Sequence, residues 1–409
     1  MRLRGVEGGH GAREVDRMLP LISALGVAQI ISWGSLFYAI GVLGLSMRTE
    51  LGVSELYLFG AFSAALVVSG TLAPIMGRLI DRRGGRFVLS LGSVLAAVAT
   101  ALLAIAPNAH VMVLGWLVAG AAMAACLYDP AFATLAQHTG PRYRKAVTAL
   151  TLFGGFASTV FWPLSHLLLE AWGWRTTFGI YAAMHVFLCL PIHRLFVPKH
   201  SHVTKADVAT PAGPREVSPG LSDPRLWWLT LSFAMATFIF GVIAVHLINL
   251  LTTAGLTAAQ AVTISMLVGP MQVAGRIIEL GFSGRVKAVT VGVVAFGLMM
   301  LALLALISVE GFGIAAIVFV IAYGCGNGVL TIVKGTAPVE LWGRTGLGGL
   351  LGHLSRYGLY AKSIAPAAFS GMLAFGLSRN AALAILAALA VLGMTSYGMA
   401  TRKRQPARG

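Results

Sequence analysis

Gly77-Arg78-Leu79-Ile80-Asp81-Arg82-Arg83-Gly84-Gly85-Arg86 interrupts a chain that is otherwise almost wholly apolar. Apolar runs flank it at 55–78 and 87–106, and about 20 apolar residues are enough to cross the hydrocarbon core of a bilayer as a helix. The stretch reads as a tight cytoplasmic turn joining two membrane spans, its arginines held inside by the positive-inside rule. Working outward, further runs of spanning length fall at 20–45, 110–135, 146–169 and 176–197, and again at 226–252, 258–280, 287–308, 312–334, 346–372 and 379–400. The pattern is twelve transmembrane helices, six and then six. Between the sets, Lys199, Lys205, Asp207, Arg215, Glu216 and Pro211-Ala212-Gly213-Pro214 have the composition of a flexible linker. The expected organisation is an N-terminal six-helix bundle (1–197), a cytoplasmic linker (198–224) and a C-terminal six-helix bundle (225–409).

Composition agrees. Of 409 residues, 57% are hydrophobic and 11% charged, where an average soluble domain is roughly 25% charged; the class is all-α integral membrane. The net charge of +16 is not gathered into one patch or tail, so it does not point to nucleic acid. The basic residues mark loops instead. Arg2, Arg4, Arg13, Arg17, Arg142, Arg144, Lys145, Arg285, Lys287, Lys334, Arg344 and the tail fall on the same side as the opening stretch, while the other side holds only Arg48, Arg175 and Arg379. Both termini are therefore expected in the cytoplasm. The polar leader Met1–Met18 runs into an apolar segment too long for the core of a cleavable signal. Cys126, Cys189 and Cys325 all lie within apolar runs with no disulfide or zinc spacing and read as small buried hydrophobes. The histidines and carboxylates show no metal or nucleophile spacing, so no metal, cofactor or enzymatic activity is expected.

The chain also repeats itself. Gly77-Arg78-Leu79-Ile80-Asp81 after the second span returns as Gly275-Arg276-Ile277-Ile278-Glu279 after the eighth, and Cys126 and Cys325 are spaced alike. Two similar six-helix halves in parallel orientation are the plan of one large transporter class. With Gly77, Leu79, Asp81, Arg82, Gly84 and Arg86 in the loop between the second and third spans, the whole chain resembles the major facilitator superfamily. The resemblance implies two pseudo-symmetric bundles rocking about a midplane site. It also implies a latch in which Gly77 lets the second and eleventh helices approach and Asp81 faces the positive start of the eleventh. Shorter patterns, Arg142-Tyr143-Arg144-Lys145-Ala146-Val147-Thr148-Ala149 leading to Gly154-Gly155 and Ser32-Trp33-Gly34 with Gly41, resemble the monocarboxylate and oxalate-formate porters. The fifth span lacks the Gly-Pro-rich signature of many drug exporters, having Pro163 at another spacing.

Ionisable groups inside a span cost at least about 2.5 kcal/mol by insertion scales, so each asks for a partner or a task. Porters of the branch resembled here use an arginine of the eighth helix and a lysine of the eleventh for carboxylates, which nominates Arg276 and Lys362. Arg276 reads equally as the loop-edge counterpart of Arg78, and Lys362 as a snorkelling or internally paired lysine. His353, Arg356, Tyr357 and Tyr360 share one face of the eleventh helix, with Lys362 on another; Arg356 and Tyr360 are secondary candidates, Arg356 also fitting a cytoplasmic gate. Asp129, before Pro130, is a candidate proton carrier or a clamp for Arg144 or Lys145, and His246 with Asn249 is a second proton candidate. Gly324-x-Gly326-x-Gly328 follows no strand and reads as a packing or bending device rather than a nucleotide loop. The first, fourth, seventh and tenth helices line the path in the superfamily, which adds Gln29, Trp33, Tyr128, Phe240, Cys325 and Asn327 as lining or packing residues. The expectation is a monomeric secondary transporter of a bacterial inner membrane for a monocarboxylate-like organic anion, with H+ as a candidate coupling ion. The alternatives are efflux of a drug-like or arsenical compound, where Cys126 and Cys325 would suit a thiol-seeking metalloid, and a sensor without transport, for which the chain offers no output domain.

Overall fold

The computed structural model describes residues 7–199, 220, 222–283 and 285–402, with side chains from Met18 onward. Most of the expected linker, 200–219 and 221, lies outside the described residues. Helices account for almost everything described, and no strand is formed among those residues. They run as α1 (Met18–Leu51), α2 (Glu55–Arg83), α3 (Gly85–Ala104), α4 (Ala109–His138), α5 (140–172), α6 (174–196), α7 (Pro224–Thr252), α8 (Ala258–Phe282), α9 (Ala288–Ile307), α10 (Ile314–Trp342), α11 (Leu347–Ala374) and α12 (Arg379–Thr401). Ten stretches are long and apolar enough to cross a membrane. The stretch Gly140–Phe196 holds two helices, because Gly173 breaks it with φ of 75°. His353, Arg356 and Lys362 dilute the hydropathy of α11, which completes the twelve expected from the sequence.

The helix ends obey local chemistry. Asn108 accepts from the amides of His110 and Val111 at the start of α4, Thr257 and Gln260 form a reciprocal capping box at the start of α8, and Ser378 accepts from Ala381 at the start of α12. Asp223 caps α7 through the Arg225 amide and also bonds the Arg225 guanidinium and the Trp342 indole. Burial alone would raise the Asp223 pKa, but these hydrogen bonds outweigh it and hold the carboxyl below its ordinary range.

The chain forms two compact units, Met1–Phe62 with Leu79–Pro214, and Ser63–Arg78 with Arg215–Gly409. The middle of α2 thus belongs with the C-terminal unit. Each unit uses one packing plan. In the first, α3 packs on α4 and α6, and α1 on α5 and α6; in the second, α9 packs on α10 and α12, and α7 on α11 and α12.

The repeat extends to single side chains. Arg175, at the start of α6, donates to the carbonyls of Ala104 (3.2 Å) and Ala106 (2.7 Å) after α3, and to Glu50 of α1 (2.8 Å). Arg379, at the start of α12, donates to the carbonyls of Leu306 (2.6 Å) at the end of α9 and Leu250 (3.1 Å) at the end of α7. Two of the three arginines on the sparsely charged side are therefore helix C-caps that tie corresponding helices together. Hydrogen bonds from a charged donor contribute about 1.5–3 kcal/mol, more than neutral ones. Arg379→Ala is expected to lower the thermal unfolding midpoint in detergent by several degrees, and Arg379→Lys to recover only part of it, because an ammonium lacks the guanidinium fork. A midpoint equal to wild type in Arg379→Ala would remove the clamp.

Candidate functional site

The sequence places a turn at Gly77–Arg86, and the structure shortens it. Helix α2 runs on to Arg83, and the turn itself is Gly84, whose φ of 81° is open to glycine and costly for other residues. The same holds for Gly275-Arg276, which lies within α8 rather than after it. Apolar content marks where the bilayer ends, whereas backbone hydrogen bonding carries the helix further, into the charged region. The turn is closed by a residue that sequence reasoning missed. Gln137 of α4 donates from Nε2 to the Ile80 carbonyl (3.0 Å) and accepts at Oε1 from the Gly85 amide (3.2 Å). A Cβ on Gly85 would overlap Thr134 of the same helix. Around this turn Asp81 and Arg86 are half-buried and Arg82 is exposed, and the Arg83 guanidinium lies 5.2 Å from the Phe87 ring centroid.

Within the C-terminal unit the middle of α2 lies along α11. A Cβ on Gly77 would overlap the Gly348 carbonyl, a Cβ on Gly352 would overlap the Ala73 carbonyl, and one on Gly70 would come within 3.0 Å of the Arg356 carbonyl. Residue numbers fall along α2 as they rise along α11, so this is an antiparallel seam whose backbone contact excludes side chains at both ends. Asp81 stands one turn beyond Gly77 on the same face of α2. Further along the seam, Tyr360 Oη and Thr71 Oγ1 are 2.8 Å apart, and Arg356 Nη2 donates to the Thr71 carbonyl (3.3 Å). Trp227 of α7 packs on His353 and Tyr357, and Tyr357 on Tyr360. The predicted shared face of α11 is thus real, and it is turned to α2 and to the start of α7.

Lys362 occupies a different face. Its ammonium lies 4.5 Å from the centroid of the Phe240 ring on α7, a cation–π distance. Nearby, Gly241 allows close approach, since a Cβ there would come within 3.2 Å of the Lys362 carbonyl. Arg276 is buried between α8 and α10, its Nε directed at the Gly328 carbonyl (3.4 Å). The glycines of α10 seat α8 there: Gly324 meets Met271, Gly328 meets Gln272, and Gly275 meets Cys325. The glycine pattern is therefore a packing device, as its lack of a strand implied. Asn327 is half-buried on α10. The His246 ring on α7 lies against Phe369 and places Nε2 3.1 Å from the Pro366 carbonyl.

In the N-terminal unit, Trp33 packs on Tyr128 (5.1 Å between ring centroids) and Phe37 (5.3 Å), and Tyr128 stacks on Phe132. Helix α4 breaks beside this cluster: Leu127 is extended, and a new helical segment starts at Tyr128 with Asp129 half-buried in its first turn. Gln29 of α1 donates to the Cys126 carbonyl at the break (2.7 Å). Cys126 is buried, so the structure puts the two repeat-equivalent cysteines in separate units, with Cys325 on α10.

The profile of the Major Facilitator Superfamily matches residues 25–347. Among curated proteins, the chain is 26% identical to the gentisate transporter of Corynebacterium glutamicum over 88% of this chain and 83% of that one. It is 29% identical to the multidrug resistance protein MdtL of Klebsiella pneumoniae over 42% and 43% of the two chains. Among solved structures, the proton:xylose symporter XylE bound to 6-bromo-6-deoxy-D-glucose superposes with a TM-score of 0.74 at 13% identity, covering 93% of this chain and 95% of that one. A six-helix plan built twice with the same packing and the same capping arginine, with a profile match across most of its length, makes this chain a membrane transporter of the Major Facilitator Superfamily.

Proposed function

We propose that this protein is a secondary active carrier for a small organic anion, an aromatic monocarboxylate of the gentisate type, working by alternating access in a bacterial inner membrane with both termini cytoplasmic. The observation that carries the reading is Lys362, a cation within a membrane span whose ammonium lies over the Phe240 ring. A carboxylate bonds such an ammonium with charge assistance, and an aromatic ring packs on the neighbouring phenyl face. The gentisate transporter, similar over most of both chains, supports the same solute class and favours an aromatic acid within it. Trp33 and Tyr128 supply further aromatic faces, and Asn327 a neutral polar group. Arg276 serves mainly to seat α8 on α10, in keeping with its burial. Arg356 and Tyr360 govern the α2–α11 seam through Thr71. Gly77, Asp81, Arg82, Gly84 and Arg86 act as the conformational latch. A second reading, proton-coupled efflux of a drug-like compound, rests on the partial match to the multidrug resistance protein.

In proteoliposomes, gentisate counterflow is expected to fall at least about tenfold in Lys362→Ala and Lys362→Gln, since losing a charge-assisted bond of about 1.5–3 kcal/mol corresponds to that range or more. Lys362→Arg keeps the charge and is expected to retain part of the flux. Undiminished counterflow in both neutral variants rejects Lys362 as the anchor, and a drug gradient moved in place of gentisate favours efflux. For the latch, Asp81→Asn is expected to abolish transport while membrane abundance stays at the wild-type level; near-normal uptake overturns it.

A further inference from the structure

The N-terminal unit buries two histidines that the sequence reading passed over. His185 and His193 are both fully buried on α6. His185 opens a π-helical turn, His185–Cys189, and bonds Ser35, which lies in a second π-helical turn, Gly34–Tyr38 of α1. Such turns insert a residue into the helix ladder and are frequent at functional sites.

The hydrogen-bond network assigns a tautomer to each ring. Ser35 Oγ is 2.7 Å from the Ile31 carbonyl, which takes its one hydroxyl proton. With that proton so placed, the 2.8 Å contact between Ser35 Oγ and His185 Nε2 is assigned to a ring donor. Nδ1 of His185 is left as a bare acceptor, buried and with no partner in the protein. His193 mirrors it. Ser93 Oγ of α3 lies 3.3 Å from the Leu89 carbonyl, which the His193 ring also meets, so Nδ1, 2.8 Å from Ser93 Oγ, is assigned the ring proton and Nε2 is the nitrogen left without a partner.

Three helix faces converge here. His185, Cys189 and His193 follow one another at four-residue steps on α6, Gln29 and Ser32 at a three-residue step on α1, and Ser90 and Ser93 at a three-residue step on α3. Gln29 Oε1 and Ser90 Oγ also have no partner in the protein, while Ser32 Oγ lies against the Cys126 and Cys189 thiols. Each such buried group is costly unless something meets it. A set of acceptors and hydroxyls of this kind suits water bridges and proton passage.

We infer that His185 and His193 are an internal proton-binding pair through which the carrier couples transport to a proton gradient. A proton taken from water by His185 Nδ1 or His193 Nε2 forms a new N–H bond and leaves a single positive charge on the ring. In the packing described here that N–H has no acceptor, so loading the proton favours a different conformation. Differential proton binding by two conformations is what couples them to the gradient. The other titratable or charged groups on the elements packed around them are Tyr38, Arg48 and Glu50 on α1, Arg86 on α3, His110, Cys126, Tyr128, Asp129 and His138 on α4, Arg142, Tyr143, Arg144, Lys145, His166 and Glu170 on α5, and Arg175, Tyr181, Cys189 and Arg194 on α6 itself. Tyr181 pairs with Ser165, His166 with Glu170, and Arg175 with Glu50. No carboxylate among the described side chains is recorded against either imidazole.

The flux arm of the test rests on the gentisate reading, and the spectroscopic arm does not. In full-length protein labelled with 15N-histidine in nanodiscs, His185 is expected as the Nε2–H tautomer and His193 as the Nδ1–H tautomer at pH 8. Imidazolium is expected to appear reversibly in at least one of them by pH 5, in molecules that have left the packing described here. In proteoliposomes, His185→Gln and His193→Gln are expected to keep gentisate counterflow but lose at least tenfold of the accumulation driven by a pH gradient, and Ser35→Ala to shift the pH at which accumulation is half-maximal. The inference is overturned if both rings stay neutral to pH 5 in folded protein, or if the double glutamine variant still accumulates gentisate as wild type does. Should wild type move no gentisate, the substrate reading alone fails and the nitrogen spectra decide the proton pair. Should the glutamine variants misfold, the wild-type spectra and Ser35→Ala decide it.

Discussion

In hydrocarbon, a backbone carbonyl or amide without a partner costs several kcal/mol, and no water is at hand to supply one. Three irregularities of this fold are met by side chains in keeping with that constraint. Where α4 breaks after Cys126, Gln29 reaches from α1 to the exposed carbonyl. Where the chain turns at Gly84, Gln137 closes both the Ile80 carbonyl and the Gly85 amide. Where α3, α7 and α9 end, arginines from the starts of α6 and α12 take up their last carbonyls. Each of these polar side chains meets a backbone group that would otherwise lack a partner.

The second constraint is distance. Dispersion falls off steeply, so helices in lipid associate best where small residues let backbones meet. The chain concentrates glycine at two such places, along α2 and α11 and along α8 and α10. At both, an arginine on the crossing helices donates to a carbonyl made reachable by the close approach: Arg356 to Thr71 and Arg276 to Gly328. The close approach thus supplies a carbonyl to an arginine at each seam, buried in the case of Arg276 and half-buried in the case of Arg356.

Much of this was legible in the sequence. The apolar periodicity gave twelve helices, and the echo of Gly77-Arg78 at Gly275-Arg276 gave the repeat, because both are carried by residue types with strong local consequences. The two faces of α11 followed from spacing alone. Helix ends did not, since hydropathy reports the bilayer and not the hydrogen-bond ladder, which is why the turn shrank to Gly84. The roles of Gln29, Gln137 and the α6 histidines were hidden for another reason. Their partners are backbone or hydroxyl atoms on other helices, up to 150 residues away in the Ser35–His185 pair, and no local pattern encodes such a match. The role of Arg379 was half visible: it stood out as a positive charge on the wrong side, but only the fold supplies the carbonyls that explain it.

The roles proposed here divide between the two units. The cation suited to an organic anion, Lys362, lies in the C-terminal unit, while the ring nitrogens available to a proton lie in the N-terminal unit. Direct attraction between a bound anion and a bound proton is then not required for coupling. It suffices that each ligand prefers one conformation, because linked preferences for a shared conformational equilibrium are themselves a coupling free energy. Ser35 and His185 are well suited to that task, since their bond joins two π-helical turns and ties the state of a proton to the geometry of α1 and α6.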